Sequence, residues 1–260
     1  MNIHNNNNNN TIQVIPISIS VDIKYHDNLD DLILKSLNDA QQELLDNDIL
    51  VIAHKIVSKA EGRIKSLQDI NPSAKSISIS HENDKDPRLV ELILNESKDI
   101  VRVSRGLLIV QTKHGFVCAN AGIDQSNVAN DTSHVVLLPL DADRSARKLR
   151  DSLKDKTGTD LAIIISDTFG RPFREGQTNV AIGIAGIEPI RSYIGTIDMY
   201  GKKLKVTEIA IADELASAAE LVMGKAQRIP VAIIRNYRYN KVEETSVSSL
   251  IRSKEKDLFR

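Results

Sequence analysis

From residue 11 onward, short runs of β-branched and other apolar residues alternate with stretches in which leucine and isoleucine return every three or four positions. The first pattern is that of buried strands and the second that of amphipathic helices. TIQVIPI (11–17) reads as the first strand. A helix is expected through LDDLILKSLNDAQQELL (29–45), with Asp27 or Asn28 as its cap. DILVIAHKIV (48–57) reads as a buried strand that runs into a polar segment, SKAEGR (58–63). Residues 69–86 are polar and turn-rich and predict a surface excursion, after which Pro87 opens the helix PRLVELILNES. IVRVS and GLLIVQTKHGFVCANAG predict strands joined by a tight turn at Arg105 and Gly106. VVLLPL, LAIIIS, VAIGIAGI, LKVTEIAIA and PVAIIR are further strand candidates, and SARKLRDSLKDK and DELASAAELVMG are helices. About ten strands with interspersed helices predict a mixed α/β fold, expected as two interleaved lobes with mixed sheets. Residues 11–260 are read as a single catalytic unit, whose lobe boundary the pattern does not mark. The asparagine tract within residues 1–10 reads as a disordered tail and RSKEKDLFR as a solvated helix end.

Composition removes several function classes. Hydrophobic residues at 41% and charged residues at 27% are ordinary globular values. With 34 basic and 35 acidic residues the net charge is -1, so no global field draws nucleic acid or a membrane surface. Aromatic residues make up 3% and tryptophan is absent, which argues against base-stacking platforms. Cys118 is the only cysteine, which excludes an internal disulfide and a multi-thiolate metal site and fits a reducing, cytoplasmic setting. No apolar run approaches the roughly 20 residues of a membrane helix, and the first residues lack the apolar core of a secretory signal.

The standard nucleotide and hydrolase fingerprints fail. There is no G-x-x-x-x-G-K-[ST], no G-x-G-x-x-G after a strand, no H-E-x-x-H and no G-x-S-x-G. The glycines of IGIAGI read as a tight strand bend. Oxygen ligands and basic side chains remain. AGIDQSN places Asp124 just past an expected strand, with Asn127 three residues on, and ISDTFG places Asp167 and Thr168 just past another. Two strand-end carboxylates with a neighbouring hydroxyl suit a hard divalent cation, magnesium or manganese, which takes oxygen ligands and keeps positions for phosphates. Taken alone, each aspartate reads first as a plain turn cap after a strand, and it is the pair of similar settings that brings the metal reading level with it. Lys59 would be a point charge for a phosphate if its loop faced the cation, and Arg171 and Arg174 could fork onto carboxylate or phosphate oxygens. His114 reads as a surface-turn residue unless it lines a cleft, and Cys118 as a packed rather than nucleophilic thiol.

Longer strings go further. VSKAEGRI, CANAGIDQSN, SDTFGRPFREG, IGTIDMYGKKL, ADELASAAELVMGKA and IPVAIIR occur in this order. Together they strongly resemble the coenzyme F420-0:γ-glutamyl ligase family, over roughly residues 12 to 240. The resemblance implies a two-lobed α/β fold that dimerises and a GTP-dependent ligase adding L-glutamate to the phospholactyl side chain of coenzyme F420-0. It also implies a divalent metal, with a second ion and a monovalent cation as further candidates. By position, Asp124 and Asp167 resemble the carboxylate metal ligands, and Thr168 a ligand to the second ion. Asn127 and Lys59 match nucleotide-contacting positions, as do Ser18, Ile19, Ser20 and Val21 after the first strand and the pair His54 and Lys55. So does the segment Met223, Gly224, Lys225, Ala226, Gln227, Arg228, Ile229 and Pro230. Two departures stand out: Lys225 takes a position where some members carry an acidic or amide residue, and ISISVD lacks the usual Gly and Pro. A protonated lysine cannot ligate a metal, so either the second ion has fewer protein ligands or the ammonium takes over part of its charge.

The implied chemistry is coherent. A carboxylate is a poor acyl donor, and γ-phosphoryl transfer from GTP to the lactyl carboxylate would give an acyl phosphate open to the glutamate amine. Such transfer needs positioning and charge neutralisation, which Asp124, Asp167 and Lys59 would supply through the metal and directly. Arg171 and Arg174 are assigned, on charge alone, to the acidic coenzyme tail or the incoming glutamate. The rival readings are a metal-dependent nucleotide phosphohydrolase using the same aspartates and a non-catalytic GTP-binding module.

Overall fold

The computed structural model describes residues 11–104, 106–125 and 133–258. The chain opens with β1 (Gln13–Ile17), α1 (Leu29–Asp39), β2 (Ile49–Ala53) and α2 (His54–Ala60). Then come β3 (Ile64–Ser66), α3 (Ala74–Asn83), α4 (Pro87–Asn95) and a meander of β4 (Ser97–Ser104), β5 (Leu107–Thr112) and β6 (Val117–Ala119). β7 (His134–Val136) leads to α5 (Ala142–Thr157) and the hairpin of β8 (Ala162–Gly170) and β9 (Gln177–Ala185). An extended arm carries β10 (Arg191–Ser192) and β11 (Glu208–Ile209), and α6 (Ile211–Met223) and β12 (Val231–Arg235) follow.

The main sheet is mixed, in the order β1-β12-β2-β8-β9, with β2 and β8 its parallel pair. Helices α1, α2 and α5 cover one face, packing residues such as Ile33, Val57 and Leu153 on Leu50, Ile52 and Ile163. The small residues Ala212, Ala216 and Ala219 of α6 lie against Ile49, Val51 and Ala162 on the other face. Central strands covered on both faces need side chains that are apolar throughout, hence the unbroken runs ILVIA and AIII. A third cluster, between α2 and α5 in the chain, joins Leu89, Val90 and Ile93 of α4 to Leu108 and Val110 of β5 and Val135 of β7. Among the described residues no helix is long and apolar enough to cross a membrane.

Several expected boundaries move. Helix α1 stops at Asp39 instead of running to Leu45, because Gln41 turns left-handed with φ 53°. The Gln42 amide then donates back to Leu37 O at 2.9 Å and the Gln41 amide to Asn38 O at 3.0 Å, a Schellman closure. Strand β2 ends at Ala53, and HKIV, expected to continue it, starts α2, so Lys59 lies on a helix and not in a loop. A short apolar run cannot tell the two apart. The expected polar excursion at 69–86 contains α3, capped by the Ser73 hydroxyl. Its buried Ser76 and Ser80 donate to Ser73 O and Ile77 O, each at 2.9 Å, so serine forms a buried face there. LKVTEIAIA gives only the two strand residues of β11 before α6 begins, and VVLLPL is strand only up to Val136. Gly183 is no bend: it lies in β9, where an added Cβ would come within 2.5 Å of Ala142, so it permits the close approach of α5.

Strand β9 is the sheet edge, and it is bulged. Ile165 pairs with Gly183 and Ser166 with Ala181, which leaves Ile182 as the extra residue. Two carboxylates from the first turns of helices on opposite faces take amides on either side of the bulge. Asp213 of α6 accepts from the Ala181 amide at 2.9 Å, and Asp143 of α5 from the Ile184 amide at 2.8 Å. Ser217 of α6 adds a bond from its hydroxyl to Asn179 O at 2.8 Å.

Burial raises the Asp213 carboxyl above its ordinary value, against the pull of the Ala181 amide. Asp213→Ala, which leaves that amide without its acceptor, is expected to cost about 1–3 kcal/mol in urea unfolding, whereas Asp213→Asn keeps an acceptor and stays close to wild type. A second expectation concerns acid stability. Asp160 is held down to about 2 from 3.8, first by the hydrogen bond from Lys241 and further by Lys154. A carboxyl lowered on folding stabilises the protein above its unfolded value and loses that contribution as pH falls toward its folded value. Thermal melts of Asp160→Asn should therefore show a flatter pH dependence between about pH 4 and pH 2 than wild type.

Candidate functional site

One end of the main sheet gathers the ends of β1 and β2 and the start of β12 beside the middle of β8, as the pairings Ile17 with Val231, Val231 with Ile52 and Ile52 with Ile165 require. Backbone bonds then join the loops at this end. The Ile19 amide donates to Arg228 O at 3.1 Å, Arg228 Nη1 lies 3.5 Å from Ser20 O, and the Ala53 amide donates to Pro230 O at 2.8 Å. Ile19 is buried and anchors its loop, while Ser18, Ser20 and Val21 on either side are exposed. Helix α6 ends at Met223, which is buried, and Gly224 turns the chain with φ 55° and ψ -158°, a region open essentially to glycine alone. The Gln227 side chain accepts from the Ala226 amide at 3.1 Å, and Ile229 packs against the α6 side of the core. Three of the segments assigned to the nucleotide, 18–21, 54–55 and 223–230, are thus neighbours.

Helix α2 starts at this end and carries three basic side chains, each facing a carboxylate. His54 is 2% exposed, and its Nε2 lies 3.3 Å from Asp167 Oδ1 but outside hydrogen-bonding geometry, so among the described residues this buried nitrogen has no hydrogen-bond partner. The His54 Nδ1 is 3.3 Å from Ser58 Oγ, one turn on. Lys55 Nζ lies 2.6 Å from Asp124 Oδ2, and Lys59 Nζ donates to Asp22 Oδ1 at 2.8 Å. Asp124 is itself fixed by a backbone bridge to Val136, with bonds of 2.9 and 2.8 Å. The two aspartates expected to hold a metal therefore face consecutive residues, His54 and Lys55, at the start of one helix.

Asp167 and Thr168 do not lie past a strand, as the pattern predicted, but inside β8, opposite Val180 and Asn179. Alternation along a strand sends them to opposite faces. Asp167 faces α2, and its Oδ1 accepts from the Thr168 amide at 2.6 Å. Thr168 turns to the side of α6, where its hydroxyl donates to Asn179 Oδ1 at 2.7 Å and accepts from Lys225 Nζ at 2.7 Å. Lys225 Nζ is also 3.4 Å from Asn179 Oδ1 and 3.6 Å from Glu220 Oε1.

Other expected residues fall differently. Arg171 folds onto its own hairpin turn, donating to Glu175 O and, at 3.3 Å, to Gly176 O, and Arg174 is exposed on that turn. Asn127 lies outside the described residues. His114 Nε2 donates to Pro139 O at 2.9 Å, which fixes the β5–β6 turn to the segment after β7. Cys118 is buried, and burial, followed by the charge of Asp167, pushes its thiol up to about 12, the opposite of an activated nucleophile. Four residues of this region were not foreseen. Asn179 is a buried amide at the start of an apolar strand, a placement that itself marks a specific polar partner. Asp22 and the edge-on pair of Phe116 and Phe169, with ring centroids 6.0 Å apart, carry no local signal because their partners are remote in sequence.

The oxygens fall into two groups, the carboxylates of Asp124 and Asp167 on the α2 side of β8 and the Thr168 hydroxyl with the Asn179 amide oxygen on the α6 side, and oxygen donors of this kind suit a hard cation that keeps positions for water or phosphate. Among the described residues no group of three or more His, Cys, Asp or Glu could hold an ion by itself. A cation here would depend on its ligand for much of its shell, and the hydrogen-bond partner missing from buried His54 Nε2 fits a site completed by a ligand.

The model of the F420-0:Gamma-glutamyl ligase family matches residues 19–236. The chain is 50% identical over 236 residues to the coenzyme F420:L-glutamate ligase of Methanothermobacter thermautotrophicus, covering 90% of this chain and 93% of that protein. It is 42% identical over 254 residues to the protein of that name from Methanopyrus kandleri, with 96% and 98% covered. It is 45% identical over 222 residues to that of Methanocaldococcus jannaschii, with 85% and 88% covered.

Proposed function

From the premise that the chain belongs to the F420-0:gamma-glutamyl ligase family, we propose that it joins L-glutamate to coenzyme F420-0 at the expense of GTP. The observation that carries the geometric part of this reading is that Asp124 and Asp167 face the adjacent Lys55 and His54, beside the loops 18–21 and 223–230. That arrangement supports a divalent ion, magnesium or manganese, held by Asp124 and Asp167 and completed by phosphate oxygens. Bound there, the ion would neutralise charge on the transferring phosphoryl group.

The residues of the chain would do the rest. Loops 18–21 and 223–230 offer exposed backbone and side-chain groups to the nucleotide, on the anchors Ile19 and Met223. Lys59 is largely buried, yet its partner Asp22 has a side chain 77% exposed, so an entering phosphate can exchange with Asp22 at small cost. Lys55 stands one turn before Lys59 on α2 and extends the same cationic edge. In the first step an oxygen of the lactyl carboxylate bonds to the γ-phosphorus and GDP departs. In the second the glutamate amine attacks the acyl carbon, inorganic phosphate leaves, and the amine gives up a proton to form the amide. Arg171 and Arg174, on the exposed hairpin turn, would meet the acidic tail or the incoming glutamate once Arg171 releases its turn carbonyls. The arm around β10 and β11 exposes Ile197, Met199, Tyr200 and Val206, which supports a homodimer closed over it. A sedimentation mass of a single chain would overturn that part.

One incubation tests the reaction. With GTP, glutamate, metal and coenzyme F420-0 labelled with oxygen-18 in its lactyl carboxylate, mass spectrometry should show product steps of one glutamyl unit and label in the released phosphate. Unlabelled phosphate would remove the acyl phosphate, and phosphate release that ignores coenzyme and glutamate would point to a phosphohydrolase. In the same assay Asp124→Ala and Asp167→Ala should each lose at least about 100-fold in rate while their circular dichroism stays that of wild type; normal glutamylation by either would end the metal assignment.

A further inference from the structure

Thr168 and Asn179 face each other across the β8–β9 hairpin, and their side-chain oxygens lie 2.7 Å apart. Both oxygens also lie near one cation, the Lys225 ammonium, at 2.7 Å from Thr168 Oγ1 and 3.4 Å from Asn179 Oδ1. The nearest carboxylate, Glu220, stands off at 3.6 Å. The lysine is therefore held mainly by neutral oxygens, which is how a small cation is held and is not how a surface lysine normally finds company. Asn179 is buried, and its backbone carbonyl accepts from Ser217 while its side-chain oxygen accepts from Thr168. Gly224, in its glycine-only conformation, returns the chain toward the strand end immediately before Lys225.

We infer that Lys225 is a tethered cation filling an oxygen-lined position on the α6 side of β8, so that this chain takes a single divalent ion where the same oxygens with a carboxylate in place of the lysine would take two. The inference rests on the proposed assignment of Asp124 and Asp167 to the first ion. It stands on the opposite face of β8 from Asp167 and on different donors, so the two can fail separately. An ammonium carries half the charge of a divalent ion and accepts no water, phosphate or carboxylate exchange into a coordination shell. It serves as a fixed hydrogen-bond donor and positive charge toward an anion, and its occupancy does not vary with metal concentration.

Manganese counting on the full-length protein holding a non-hydrolysable GTP analogue tests this, by metal analysis of the complex after gel filtration. Wild type should bind one manganese ion per chain, Lys225→Glu two, and Lys225→Glu with Thr168→Val one again. Lys225 has a side chain 59% exposed, so its variant should fold, and a thermal melt monitored by circular dichroism verifies it. Two ions in wild type, or one in a folded Lys225→Glu, would overturn the inference. No ion in wild type but one in Lys225→Glu, lost again on adding Thr168→Val, would support the Lys225 position while removing the Asp124 and Asp167 metal. No ion in any of the three would remove both.

Discussion

The site depends on how the edge of one sheet is closed. Strand β9 has a neighbour on one side only, and an open edge leaves amides that must find partners or invite other chains. Here Asp213 and Asp143 supply them, one from each helical layer, around the extra residue Ile182. The bulge has a direct chemical effect. With it, Thr168 stands opposite Asn179; a regular ladder continued from Ile165 and Gly183 would set Thr168 opposite Val180 and leave its hydroxyl beside an apolar side chain. The polar pairing that receives Lys225 thus follows from two carboxylate–amide bonds made well inside the fold. Asp213 bears burial to make its bond, which is why its carboxyl is raised, and a group held at such cost is usually held for geometry.

The electrostatics of the site have a matching logic. Asp22, Asp124 and Asp167 each face a basic residue of the same short helix: Lys59, Lys55 and His54. The two lysine pairs, each with a partly exposed carboxylate, are worth only about 0–1 kcal/mol each, and the more enclosed His54 and Asp167 share no hydrogen bond. A divalent ion arriving with a polyphosphate can therefore exchange partners, carboxylate to metal and ammonium to phosphate, without breaking a strong bond. A buried, fully satisfied pair such as Asp48 with Arg235, held by two bonds of 3.0 and 2.8 Å, would resist that exchange, and it lies at the other end of β2.

How far the sequence foretold this follows from where each signal lives. The strands of the main sheet were legible because burial on both faces writes itself as consecutive apolar residues, and Pro87 and the alanine face of α6 are equally local marks. The start of α2 was not, since HKIV obeys either period, and α3 was hidden because serines took the inward positions. At the candidate site, Asp124, Asp167 and Thr168 were singled out as oxygen donors near expected strand ends, whereas His54 and Lys55 came only from long family-specific strings. The partners that give these residues their geometry come from elsewhere in the chain. Asp22 is 37 positions from Lys59 and Lys225 is 57 from Thr168, separations over which only the folded sheet carries information.

The segment from Gly224 to Pro230 binds these threads into one mechanical unit. Its carbonyls at Arg228 and Pro230 accept the amides of Ile19 and Ala53, so it sets the height of the loop after β1 and of the residue immediately before His54. Its first side chain, Lys225, reaches Thr168 on the far strand of the parallel pair. Arg228 holds a left-handed φ of 57°, unusual for a side chain of its size, and its guanidinium lies 3.5 Å from Ser20 O. A non-glycine residue in that conformation persists only where its surroundings over-determine it. Here the bond from Ile19 to Arg228 O and the buried anchors on both sides do so. Any displacement of this segment by a bound nucleotide would therefore be felt at the loop before Asp22, at the start of α2 and at Thr168 together, which makes a short, non-helical connection the common support of the three parts of the site.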